Sequence, residues 1–67
     1  MSVLKVIEIL AHSPKSWEEA AQKAVDEASK SVKNIKSVWI QEQSCEVENG
    51  KITDYRVNAK ITFLVQH

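Results

Sequence analysis

Two runs of alternating residue types carry the chemistry this chain has to offer. Trp39, Gln41 and Gln43 recur at every second position of one run; Arg56, Asn58 and Lys60 do the same in the next. A period of two places each set on one face of a β-strand. An indole can stack on a planar ligand, and stacking with burial contributes about 1–3 kcal/mol. The amides can pair with a polar ligand edge, and the Arg56 guanidinium is a rigid fork that suits phosphate. The same side chains also suit a subunit contact, where tryptophan is favoured, or a solvated row in which Arg56 pairs with a carboxylate.

Other reactive groups are sparse. Glu42, Glu46 and Glu48 can bind a cation if several copies bring them together, because calcium needs many oxygens at once. Within one chain they read equally well as surface charge or interchain ion pairs. Cys45 has no basic neighbour to activate it. His12 falls in a polar connection and His67 at the C-terminus, at opposite ends of the chain and without zinc-ligand spacing. The sequence contains no G-x-S-x-G and only one glycine, so no phosphate-cradling loop. It predicts a non-enzyme.

The element that positions the two runs is a long hairpin from Ile35 to Val65. Asn49-Gly50 sits between them, and both residues tolerate the positive φ angles of a type I′ turn. A two-residue loop fixes the register. It predicts Glu48 opposite Lys51, Val47 opposite Ile52, Cys45 opposite Asp54, Gln43 opposite Arg56, Gln41 opposite Asn58 and Trp39 opposite Lys60. On the other face Ser44 meets Tyr55, Glu42 meets Val57, Ile40 meets Ala59 and Val38 meets Ile61. Phe63 and Val65 continue that second, apolar face.

Before the hairpin, Val3 to Leu10 is an apolar run broken by Lys5 and Glu8, one charge per face. An edge strand or a strand at a subunit contact fits it best. Ala11 to Lys15 forms the connection, with Pro14 biasing Ser13 away from helix. Ser16-Trp17-Glu18-Glu19 is a capping box that starts a helix. From there to about Lys33, Trp17, Ala20, Ala21, Ala24, Val25, Ala28 and Val32 form one helical stripe. Its alanines let the helix lie close to a sheet. Core or interface packing is the expected role of Trp17. Asn34 is the predicted left-handed stop.

The chain has 67 residues, hence a single domain over 1–67. A domain this small buries only about 60% of its unfolded surface. One cysteine permits no internal disulfide, so oligomerisation is the remaining support. Nine basic and nine acidic residues cancel, which argues against nucleic acid as partner. No apolar run approaches the roughly 20 residues of a membrane span, and the N-terminus lacks signal-peptide character, so a cytoplasmic setting is expected.

The N-terminal Val-Ile-Glu-Ile, the Ser-Pro before Ser-Trp-Glu-Glu-Ala, and the closing Asn-Gly-Lys-Ile-Thr-Asp-Tyr-Arg-Val-Asn-Ala-Lys-Ile-Thr-Phe together resemble the dodecins. The resemblance covers essentially the whole chain. It implies an α+β fold: a β-α-β-β subunit whose three-stranded antiparallel sheet wraps around one helix. It also implies a homododecameric shell built from trimers. Flavin-binding dodecins hold riboflavin, FMN or FAD as stacked pairs for storage and protection. Counting back from Asn49-Gly50, their stacking tryptophan falls at Ser37 and their flavin-pairing glutamine at Arg56. Trp39 lies two residues on, on the same predicted face and roughly 6–7 Å along the strand.

Two readings follow. In the first, the protein stores a small ligand, flavin among the candidates, in a modified pocket of Ser37, Trp39, Gln41, Gln43, Arg56 and Asn58. In the second, it resembles the dodecin-like branch that lacks the flavin tryptophan, and binds ions or another small ligand, or is structural. A subunit of a larger hetero-assembly is the third and weaker option.

Overall fold

The computed structural model describes residues 3–65. His67 lies outside the described residues. The element order is β1 (Val3–Ser13), α1 (Trp17–Ser29), β2 (Ile35–Glu48) and β3 (Lys51–Val65). The three strands form one antiparallel sheet in the order β1-β3-β2, so β1 and β2 are both edges. The split charges of β1 match that edge position. Its strand runs further than the apolar residues suggest, and Ala11, His12 and Ser13 pair with Val57, Arg56 and Tyr55. His12 is therefore a strand residue rather than a loop residue.

Ser13 is fully buried, and its hydroxyl accepts the Lys15 N–H at 3.0 Å, which turns the chain toward the helix. Ser16 is the N-cap; its hydroxyl accepts the Glu19 N–H at 3.0 Å. The Glu19 carboxylate does not complete a reciprocal box among the described bonds; it lies 3.6 Å from Lys23 Nζ. The helix ends at Ser29 rather than near Lys33. A tightened last turn follows, with the Ser31 and Val32 N–H groups both donating to the Ala28 carbonyl. Asn34 does adopt the left-handed conformation, at φ 62°, but it launches β2 rather than capping the helix directly.

Ala20, Ala24 and Ala28 are buried, and Ala24 and Ala28 pack with Ala59 and Ile61, neither of which has exposed surface. Ile7, Ile9, Ala11, Ile35 and Ile40 surround this cluster. Three alanines one turn apart are what allow the helix to sit this close. At 1.5 Å per residue, the 13-residue helix spans roughly 20 Å, against a molecule 52 Å long. The hairpin therefore runs past its cover, and Val47 and Ile52 near its tip are exposed.

The turn is as predicted, with positive φ at Asn49 (51°) and Gly50 (76°). The register is not uniform. Glu48 faces Lys51 and Val47 faces Ile52; then Thr53 is left over on β3, and Glu46 faces Asp54. From there Cys45 faces Tyr55, Ser44 faces Arg56, Gln43 faces Val57 and Glu42 faces Asn58. Gln41 is then left over on β2, and Ile40–Ala59, Trp39–Lys60 and Val38–Ile61 return to the predicted pairing. A third irregularity lies at Lys36, between Ile35–Phe63 and Ser37–Thr62. One extra residue on each strand thus shifts the segment between them by a single position, and such a shift flips every side chain to the other face.

Candidate functional site

The face of the sheet away from the helix is built from the even positions of β1 and β3. The two offset bulges decide what β2 adds to it. Gln43 shares the helix side with Val57, Cys45 shares it with Tyr55, and Gln41 is the exposed bulge residue. The predicted pairs Gln41–Asn58, Gln43–Arg56 and Cys45–Asp54 do not form. In their place Glu42, Ser44 and Glu46 join Asn58, Arg56 and Asp54 on the outer face. Ser37, Trp39, Arg56 and Asn58 share that face as predicted; Gln41 and Gln43 are not brought to it.

Along the sheet, the outer face reads in rows: Val6–Thr62–Ser37, Glu8–Lys60–Trp39, Leu10–Asn58–Glu42 and His12–Arg56–Ser44. The last two rows line a cleft of 410 Å³, bounded by Leu10, His12, Glu42, Ser44, Arg56 and Asn58. That volume suits a small ring or a hydrated ion. Leu10 is 77% exposed at its rim. Trp39 stands one row away, 62% exposed, with the Lys60 ammonium 5.6 Å from its ring centroid.

The charges at the cleft are largely paired. Arg56 bonds to the Glu46 carboxylate, and its Nε lies 3.7 Å from Asp54 Oδ2. His12 Nδ1 lies 3.2 Å from the same Asp54 oxygen. Asp54, with its side chain only 18% exposed, thus holds both the guanidinium and the imidazole of this row. Of the two roles open to the Arg56 guanidinium, phosphate fork or partner of a carboxylate, the structure shows the second, with both carboxylates on its own chain. Two groups are not paired. Among the described contacts, none engages the Glu42 carboxylate, and the Asn58 side-chain oxygen is buried without a hydrogen-bond partner. A buried acceptor left unsatisfied costs about 1–3 kcal/mol.

Trp17 packs its ring edge-on to Tyr55 at 5.1 Å and donates from Nε1 to the Ser44 carbonyl at 3.2 Å. The helix thereby grips the shifted segment of β2 from behind, which matches the packing role expected of Trp17. The uniform register put Glu42 and Ser44 on the apolar face, and a first strand ending at Leu10 left His12 in a connection; β1 in fact runs on to Ser13 and sets Leu10 and His12 beside Asn58 and Arg56. A glutamate facing Val57 and a serine facing Tyr55 were the available sign that the parity changes between Asn49 and Ile40. Among the described residues, no group of three or more His, Cys, Asp or Glu side chains is gathered for a metal, and no helix is long and apolar enough to cross a membrane.

Comparison with known proteins adds to this geometry. Calcium dodecin from Mycobacterium tuberculosis is 47% identical over 64 residues, covering 94% of this chain and 89% of that protein. A crystal structure of calcium dodecin from the same organism, described as calcium-chelating with a novel calcium-binding site, superposes with a TM-score of 0.80 at 42% identity, covering 96% of this chain and 91% of that one. A Thermus thermophilus dodecin variant superposes with a TM-score of 0.93 at 21% identity over the whole of both chains, a likeness of fold alone. The model of the Dodecin family matches residues 3–66. The chain therefore belongs to the dodecin family of non-enzymatic small-ligand-binding proteins, typically homo-oligomeric, whose members take flavins or ions.

Proposed function

We propose that this dodecin is a flavin-free binder of ions, with calcium the first candidate, working as a homododecameric shell in the cytoplasm. The likeness to calcium dodecin carries the reading. Two features of the site support it. Ser37, at the position of the flavin-stacking ring, is exposed and offers no aromatic surface. Arg56, at the position of the flavin-pairing glutamine, is tied to Glu46 and Asp54 and offers no acceptor to a flavin edge.

A second reading keeps flavin. Trp39 is exposed on the same face one row from the cleft, so riboflavin, FMN or FAD could stack there once Lys60 is displaced from the ring.

One pair of titrations on protein stripped with a chelator separates the two. Calorimetry should show saturable calcium uptake, and riboflavin and FMN fluorescence should stay unquenched up to high micromolar protein. Saturable quenching that Trp39→Ala abolishes, with no heat from calcium, reverses the assignment. Native mass spectrometry tests the assembly: the expected species holds twelve copies of the 7.6 kDa chain, and any other stoichiometry overturns the shell.

A further inference from the structure

We propose that the outer face of the sheet, at the open end of the hairpin, is a contact between copies of this chain, with Trp39 as its protein-facing anchor. The inference rests on the homo-oligomeric reading and gives that reading a surface.

The single chain leaves more large apolar side chains outside than it holds inside. Among the described residues six hydrophobic side chains are buried, and four of them are alanines. Eight large ones are exposed. Leu4, Val6, Leu10 and Trp39 are four of those eight, each more than half exposed. Strand pairing gathers these four on one face, since Leu4, Val6 and Leu10 alternate along β1 and Trp39 shares the row of Glu8 and Lys60. The chain's own helix cannot cover them, because it packs on the opposite face against Ala59 and Ile61. A monomer rarely leaves a continuous apolar patch of this kind in water.

The charges of the face indicate what covers it. Toward the hairpin tip the face is ionic, with Arg56, His12, Asp54 and Glu46 tied together. In the rows from Leu4 to Trp39 the charged residues are Glu8 and Lys60, direct cross-strand partners whose formal charges cancel. Nucleic acid would require an excess of basic groups here. A strongly charged protein would find no opposite field. A second copy fits, because it brings the same apolar residues and the same balanced pair. Each contact then removes two patches from water at once, as an isologous contact does. Trp39 suits the centre of such a contact, where tryptophan anchors are concentrated. The Lys60 ammonium, 5.6 Å from its ring centroid, gains attraction to the ring as water leaves.

Two measurements on the assembled protein test this. The first is native mass spectrometry of Val6→Lys, which sets an unpaired charge in the patch at an already exposed position. Its assembly should break into smaller species. Gln22→Lys adds the same charge on the exposed side of the helix and should keep the wild-type mass. The second is acrylamide quenching in Trp17→Phe, where Trp39 is the sole tryptophan left of two. Trp39 should be several-fold less quenchable than free N-acetyltryptophanamide. If wild type is oligomeric and Val6→Lys keeps the same mass, the face is overturned and the oligomer stands. Equal dissociation of Gln22→Lys also overturns the face, since added charge alone would then explain the loss. A Trp39 as quenchable as the free indole overturns its role as anchor. A monomeric wild type overturns both the face and the oligomer. Should Val6→Lys lose its β-sheet circular dichroism, the quenching of Trp39 decides.

Discussion

The two halves of the β2–β3 hairpin obey different masters. At the open end, Val38–Ile61 and Ile40–Ala59 lie under or beside the helix, and a slip of one residue would move Ile61 and Ala59 out of the core. Burial there holds the register. Between Glu42 and Glu46, where four of the five β2 residues are exposed, no comparable apolar burial opposes the slip, and the strand follows its bulges instead. The lesson is that a turn fixes register only as far as the next bulge, and that apolar burial fixes it again further along. The polar segment between those anchors is free to present either face, and here it presents Glu42, Ser44 and Glu46 outward.

Substitutions sharpen this contrast in order of size. Ile61→Ala removes a fully buried side chain from the anchored half and should cost about 2–5 kcal/mol, read as a lowered urea midpoint. A loss under about 1 kcal/mol would mean the helix does not pin that half. Trp17→Phe keeps the ring against Tyr55 and deletes the donor to the Ser44 carbonyl; about 0.5–1.5 kcal/mol is expected. Cross-strand Hα contacts seen by NMR should pair Cys45 with Tyr55 rather than with Asp54 in the wild type, and this pairing should loosen first in that variant.

Arg56→Ala, in the bulged half, breaks a half-exposed pair with Glu46 and a longer, 3.7 Å contact with the more buried Asp54; solvent around the half-exposed guanidinium screens both and holds the cost to about 0–1 kcal/mol. That cost should shrink further in high salt. A loss as large as that of Ile61→Ala would show that the charge network, not the helix, sets the register.

The smallest effect belongs to the helix end. The hydrogen bond that Lys30 donates to the Glu27 carboxylate, and then the charge of that carboxylate, raise the Lys30 pKa above the ordinary lysine value. A raised folded pKa means any stabilisation is complete below the unfolded lysine pKa, about 10.4, and is lost as pH rises through the folded value. Melting temperatures of wild type and Lys30→Ala should therefore coincide within error once the pH passes that point. A gap persisting in strong alkali would contradict an electrostatic origin.

Much of the fold is legible from local chemistry. Ser16 caps because its hydroxyl reaches the Glu19 N–H; Asn49 and Gly50 turn because both accept positive φ; the alanine stripe marks the helix side that meets the sheet. The edge position of β1 could be read from its split charges. The helix end could not, since Val32 keeps the stripe going after the backbone has tightened onto the Ala28 carbonyl.

Local chemistry sets the kinds of element, their order, the turn and the apolar face under the helix, because each follows from residues close along the chain or from a strict period. Which face Glu42, Ser44, Gln43 and Cys45 present, and so what kind of cleft the protein has, is settled by strand pairing in three dimensions. Thr53 and Gln41, the residues left over at the two bulges, carry no glycine-like signature. Their effect appears only when both strands are paired and the core has already fixed the register at the far end.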